Sequence, residues 1–142
     1  METIRIARLR PTAVLPTRKH PQDAGMDLYA AEAASLPAHA SAIIPTGITL
    51  EIPTGYVGLV KPKGRNDHLV GAGVVDAGYQ GEILVKIVNP YPIPLEIRAG
   101  DAIGQLLVVP ITTPRVEEVS PEQIHQQSSP RGAGGGIVEQ FK

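Results

Sequence analysis

Proline and glycine interrupt this chain too often for long helices. There are 14 prolines and 15 glycines in 142 residues, and a proline inside a helix removes a backbone donor and clashes with the preceding turn. The segments left between them are short and rich in Ile, Val and Leu, a pattern suited to many brief strands joined by turns. Residues 3–9 alternate through Ile4 and Ile6 and read as an opening strand. Residues 24–30 are short and apolar around one acid, Asp27, and 42–48 and 49–52 read as two strand pieces punctuated by Pro45 and Gly47. A turn at 53–55 precedes a strand over 56–60, and 69–75 reads as a glycine-interrupted hairpin arm. Residues 82–88 form a β-branched strand ended by Asn89-Pro90-Tyr91-Pro92, and strands at 95–97 and 103–109 flank a turn at 98–101. One helical turn is expected over 122–127 after the Ser120-Pro121 start signal. From residue 128 onward the chain is polar and glycine-rich without periodicity, which predicts a mobile arm, 128–142, on a single all-β domain, 1–127. Short, evenly spaced strands point to a closed β-barrel or a jelly-roll-like sandwich.

Composition removes several function classes. The chain has no cysteine, so a disulfide framework, a thiolate zinc site and a cysteine nucleophile are excluded. No apolar stretch approaches the length of a membrane span, and the N-terminus, with Glu2 close to Ile4 and Arg5, has no signal-peptide apolar region; a soluble cytoplasmic protein is expected. A net charge of −1 provides no electrostatic footprint for DNA or RNA. A small anionic ligand held by a few local cations and backbone amides remains open.

The candidate chemistry is carried by acids and cations at turns. In the segment from Gly73 to Glu82, Asp76 follows two apolar residues and precedes Ala77-Gly78-Tyr79-Gln80-Gly81. A carboxylate at such a bend is suited to general-base work, and Tyr79 offers a flat face for a sugar or base; the same residues also make an ordinary hairpin turn with a solvated acid. Lys61-Pro62-Lys63-Gly64-Arg65-Asn66-Asp67 places three cations and a glycine in a stretch that suits a phosphate cradle, or a solvated basic loop. Arg131-Gly132-Ala133-Gly134-Gly135-Gly136 permits close approach of backbone amides to phosphate, or is a floppy tail. Asp27 sits in an apolar setting and requires a cationic or hydrogen-bonding partner. Gln105, in an otherwise apolar strand, is either edge-facing or a ligand contact. His20, His39, His68 and His125 lack metal-ligand spacing and read as surface residues, and no Ser-His-acid arrangement is present.

Taken in order, these segments resemble the motifs of the trimeric dUTPase family. Residues 24–30 match A-G-x-D-L-x-A, residues 73–82 match G-x-I-D-x-x-Y-x-G-E with Val75 for the isoleucine, residues 100–106 resemble G-D-R-I-A-Q-L, and residues 131–135 resemble R-G-x-G-G. The resemblance runs over nearly the whole chain. It implies a distorted jelly roll assembled as a homotrimer with sites at subunit junctions, the last motif arriving as a flexible arm. It implies hydrolysis of dUTP to dUMP and pyrophosphate with Mg²⁺ carried mainly by substrate phosphates and water, the ion and cations neutralising the triphosphate. By position, Asp76 would activate the attacking water, Tyr79 stack on deoxyribose, Asp27 support the phosphate side, Gln105 contact phosphates and Arg131 clamp the γ-phosphate. Lys63, Gly64, Arg65, Asn66, Val70, Val74, Val75 and Leu84 would line the nucleotide.

The chain departs from the family pattern in three places. Pro62-Lys63-Gly64-Arg65 stands where the family reads P-R-S-G, and the stretch to the next motif is shorter; either Lys63 aligns with the motif's arginine, or Arg65 does, with Asn66 at the serine. Val70 occupies the usual position of an asparagine in the base-binding hairpin. Gly136-Ile137-Val138 replaces F-G-S-T-G, and Phe141 lies too far on to substitute. Lost lid and hydroxyl contacts lower affinity or rate even with the base intact, so the alternative is a nucleotide-binding or regulatory protein with weak or no hydrolysis. A dCTP deaminase-like activity is disfavoured because Lys86 stands at that family's general-base glutamate.

Overall fold

The computed structural model describes residues 3–133. Its strands are β1 (Arg5–Arg8), β2 (Met26–Tyr29), β3 (Ala34–Leu36), β4 (Ser41–Pro45), β5 (Ile48–Glu51), β6 (Tyr56–Lys61), β7 (Leu69–Val70), β8 (Gly73–Val75), β9 (Leu84–Val88), β10 (Leu95–Ile97) and β11 (Ala102–Pro110). Among the described residues there is no α-helix. All pairings are antiparallel, in four small sheets ordered β1-β5, β10-β3, β2-β11-β6-β8 and β4-β9-β7. The expected all-β class is the one observed.

Alternation explains the core. Along β9, Val85 and Ile87 are buried and Leu84 and Lys86 exposed, because successive side chains point to opposite faces of a strand. Inward residues from all four sheets, among them Leu28, Leu36, Ile44, Ile48, Leu50, Val60, Ile87, Ile97, Ile103 and Leu106, merge into one cluster. Burying each such side chain contributes roughly 1.5–3 kcal/mol. The longest strand, β11, pairs with β2 on one side and β6 on the other. Its register against β2 shifts between Ala102 and Gly104, so Ile103 is the extra residue of a β-bulge.

Two local expectations are corrected. Residues 69–75 are not one hairpin arm: β7 pairs with β9 and β8 with β6, so Gly71-Ala72 carries the chain from one sheet to another. Helical structure does not form over 122–127. Instead, Gln123 N donates to Ser120 O at 2.9 Å and the Gln123 side chain accepts from Ser120 N at 3.3 Å, closing a single turn. Ile124 is half exposed, and a short helix with no face to bury is marginal in water.

The chain divides into two units, Met1–Thr112 and Thr113–Lys142, whereas composition places the boundary at 127/128. Among the described residues every strand belongs to the first unit.

Candidate active site

Three strands place a carboxylate, an amide and a cation in one row. Asp27 on β2 lies opposite Gln105 on β11, and Gln105 lies opposite Lys61 on β6. Directly opposed residues of antiparallel strands share a face. The chain leaves β6 through Pro62, whose carbonyl accepts from Gln105 Nε2 at 3.0 Å. Lys63 then turns back, and its Nζ donates to Asp27 Oδ1 at 2.5 Å. Gly25 makes room for this arrangement, since a Cβ there would collide with Gln105 Oε1 and sit 2.9 Å from its Cδ. Asp27 is held from the other side too, its N–H donating to Thr17 O at 2.8 Å.

This supplies the partner that an acid in apolar surroundings requires. It also distinguishes the two cations: Lys63 pairs with Asp27, while Arg65 is exposed and joins none of the ion pairs found among the described residues. The Lys63 and Asp27 side chains keep 21% and 24% of their surface accessible, so the pair is only partly shielded from solvent. Gly64 is exposed, and a Cβ there would meet nothing within 4 Å.

Asn66 and His68 of this loop face the protein, while Asp67 is exposed. Asn66 Nδ2 donates one of its two hydrogens to Ala102 O at 3.0 Å, which ties the side chain to β11. His68 corrects the expectation of a surface histidine: it is buried, with Nε2 2.8 Å from Ile103 O. Sequence reasoning missed it because a lone histidine beside Asp67 carries no periodic signal. The only available cue was the shortness of the loop.

The second half of the site is the turn after β8. Tyr79 N donates to Asp76 O at 3.0 Å, which closes a turn with Ala77-Gly78 at its tip and fixes the exposed Asp76 as its first residue. The Asp76 carboxylate enters none of the ion pairs among the described residues. Tyr79 folds over Gly81, and its hydroxyl donates to Glu82 O at 2.6 Å. The base of the turn is tied down where Thr49 Oγ1 donates to Gly81 O at 2.9 Å and Gly47 N to Glu82 Oε2 at 2.9 Å. Asp76 is thus an unpaired acid on a rigid bend, beside a ring whose angle is set. A groove of about 780 Å³ runs from Ala77, Tyr79 and Gln80 along β1 and β5.

The two halves do not meet within one copy. Val75 pairs with Gly58 and Gly73 with Val60, so Asp76 extends toward the Tyr56 end of β6, whereas Lys63 follows its Lys61 end. The strand from Val57 to Lys61 alone separates them by about 13 Å at roughly 3.3 Å per residue.

The apolar candidates divide by strand face. Val74 and Leu84 project outward, 66% and 47% exposed, and Val70 is half-buried. Val75, expected to line a nucleotide, is buried in the core against Gly58; only its backbone is available to a ligand. Arg131 is exposed in a turn of the second unit, its N–H donating to Ser129 Oγ at 3.3 Å. Gly134, Gly135, Gly136, Ile137, Val138 and Phe141 lie outside the described residues. Among the described residues no group of three or more His, Asp or Glu side chains is arranged to hold a metal ion, and no helix is long and apolar enough to cross a membrane.

Known proteins resemble this chain along most of its length. The family model described as dUTPase matches residues 12–135. A deoxyuridine 5'-triphosphate nucleotidohydrolase of Mycolicibacterium vanbaalenii is 41% identical over 141 residues, covering 94% of this chain and 92% of that protein. Its Mycobacterium tuberculosis counterpart is 40% identical with the same coverage. Among solved structures, the dUTPase of Staphylococcus bacteriophage 80alpha with dUpNHpp matches with a TM-score of 0.87 at 28% identity, covering 96% of this chain and 97% of that one. A mutant dUTPase from phage phi11 of S. aureus, described with a structural Mg(II) ion, matches with a TM-score of 0.80 at 28% identity, covering 86% of this chain and 99% of that one. The fold is therefore the expected jelly-roll-like one, and the chain belongs to the dUTPase family.

Proposed function

We propose that this protein is a dUTP diphosphatase, in which the Asp76 carboxylate takes a proton from a water that attacks the α-phosphorus. The water oxygen bonds to that phosphorus, the bond to the bridging oxygen breaks, and pyrophosphate leaves dUMP behind. Asp76 is suited to this because it is exposed, unpaired among ionic partners and fixed on a bend by the Tyr79 N–H. That held turn is the observation that carries the reading. Tyr79, locked over Gly81, supplies a face for the deoxyribose.

The phosphate side belongs to the other cluster. Lys63, aimed by Asp27, and the exposed Arg65 neutralise charge at the triphosphate, with Gly64 allowing close approach and Gln105 holding the loop from which Lys63 projects. Arg131, from an arm beginning at residue 128, adds a clamp on the γ-phosphate. Mg²⁺ supplies charge neutralisation on the phosphates when bound. The donor set fits an ion carried by the substrate rather than caged by protein, since no cluster of three protein ligands exists among the described residues.

Because Asp76 and Lys63 lie at opposite ends of the β6–β8 pair, a complete site requires the turn of one copy beside the cluster of another, which a homotrimer provides. The outward Val74 and Leu84, with Ile43 and Leu69, are apolar side chains on regular strands that such an assembly covers.

The test is product analysis with dUTP, dCTP and dTTP in Mg²⁺. The expected result is dUMP and pyrophosphate from dUTP, with turnover reduced about 10²–10⁴-fold by Asp76→Asn while nucleotide binding persists. Ammonia release from dCTP, or binding of dUTP without hydrolysis at any enzyme concentration, refutes the proposal.

A further inference from the structure

We infer that His68 and Asn66 are positioning residues, a two-point clamp that fastens the short 62–68 loop to the bulge of β11 and thereby aims Lys63. The inference deepens the proposed phosphate role of Lys63 and rests on it.

The end of the β6 ladder creates the need for the clamp. β11 pairs with β6 only from Gln105↔Lys61 onward, so the carbonyls of Ala102 and Ile103 lie beyond the end of that ladder. A buried carbonyl without a donor is destabilising. The loop supplies both donors: Asn66 Nδ2 reaches Ala102 O at 3.0 Å and His68 Nε2 reaches Ile103 O at 2.8 Å. A carbonyl only accepts, so His68 carries its proton on Nε2. The 3.2 Å approach of Asn66 Nδ2 to that same nitrogen is then a packing contact between two donors.

The same strand holds the loop's other end, where Gln105 Nε2 donates to Pro62 O at 3.0 Å. Between these anchors, Asn66 N donates to Lys63 O at 3.1 Å, closing a turn whose first residue is Lys63. Four hydrogen bonds therefore fix the backbone from which the Lys63 ammonium reaches Asp27. Neither clamp residue needs to touch substrate. Releasing the clamp frees the turn, and the lysine loses its aim.

The prediction separates a positioning role from a merely structural one. Steady-state dUTP hydrolysis and melting temperature are measured for His68→Leu, His68→Gln and Asn66→Ala, each alone and combined with Lys63→Met. His68→Leu and Asn66→Ala are expected to raise KM for dUTP about tenfold with kcat within about threefold, because a phosphate contact made equally in ground and transition states appears in KM. His68→Gln, which restores a donor of similar reach, is expected to recover most of the loss. On the Lys63→Met background the clamp substitutions are expected to change KM less than about twofold, since their effect is transmitted through that lysine. If His68→Leu does not fold, Asn66→Ala and His68→Gln decide the question by the same comparison. Unchanged KM in a folded clamp variant, or the full tenfold effect persisting without Lys63, overturns the inference. A wild-type chain that leaves dUTP intact refutes the hydrolase reading instead, and the clamp's functional role with it.

Discussion

Replacing Gly81 with alanine tests how the orientation of Tyr79 is held. An added Cβ would lie 2.5 Å from the Tyr79 hydroxyl, 2.7 Å from Cζ and 3.1 Å from Cε1. These nearest atoms all belong to one side chain. Gly81 is not among the glycines with positive φ, so alanine imposes no backbone penalty there. The ring must therefore swing by about 1 Å, and the 2.6 Å bond from its hydroxyl to Glu82 O cannot survive that movement. Losing the bond costs about 1 kcal/mol, and holding the ring off its preferred rotamer costs about another. A total of about 2 kcal/mol corresponds to a melting temperature lowered by roughly 4–8 °C in a chain of this size. Thermal denaturation of Gly81→Ala, Tyr79→Ala and the double variant at one fixed protein concentration provides the assay. With Tyr79 truncated, the three nearest atoms that the alanine at 81 would meet are gone, and its added cost is expected to fall below about 0.5 kcal/mol. On the proposed role of Tyr79 against deoxyribose, KM for dUTP is expected to rise in the single variants. A Gly81→Ala protein as stable as wild type, or one destabilised equally with and without Tyr79, refutes the reasoning.

Two further outcomes follow from other parts of the structure. Asn89 is fully buried, its amide nitrogen donating to Pro37 O at 3.1 Å and Ile93 O at 2.8 Å while its oxygen accepts from Tyr91 N at 3.1 Å. Asn89→Ala is therefore expected to cost about 3 kcal/mol, read as a lower urea midpoint at an unchanged slope. Chelation by EDTA is expected to suppress dUTP turnover while leaving the melting temperature of the substrate-free protein within about 1 °C, because the described residues form no metal cage that contributes to folding. A large melting shift on chelation would reveal a structural ion.

Several features of the site are legible in the residues. Asp27 in an apolar segment requires a partner, and Lys63 is that partner, although Lys63 and Arg65 are indistinguishable along the chain. The bend at Asp76 and the aromatic at 79 are likewise readable from small residues at a strand end. His68 is not legible in this way, because its burial and its bond depend on one carbonyl, Ile103 O, of a strand 35 positions away. Val75 escapes for a related reason: the register of β8 against β6, set by pairing and not by the motif, turns its side chain into the core.

By itself the sequence determined the material and the punctuation: short β-branched runs, proline and glycine breaks, one acid at a bend and another inside an apolar segment, and a match to the dUTPase motifs. Alternation and turn chemistry act over a few neighbouring residues, so one chain read in order is enough to find them. Tertiary structure alone decided which cation meets Asp27, which sheet receives each half of 69–75, and that Asp76 and Lys63 stand at opposite ends of one strand pair. Those outcomes depend on registers between segments far apart in the chain, where a one-residue slip exchanges every inward side chain for an outward one.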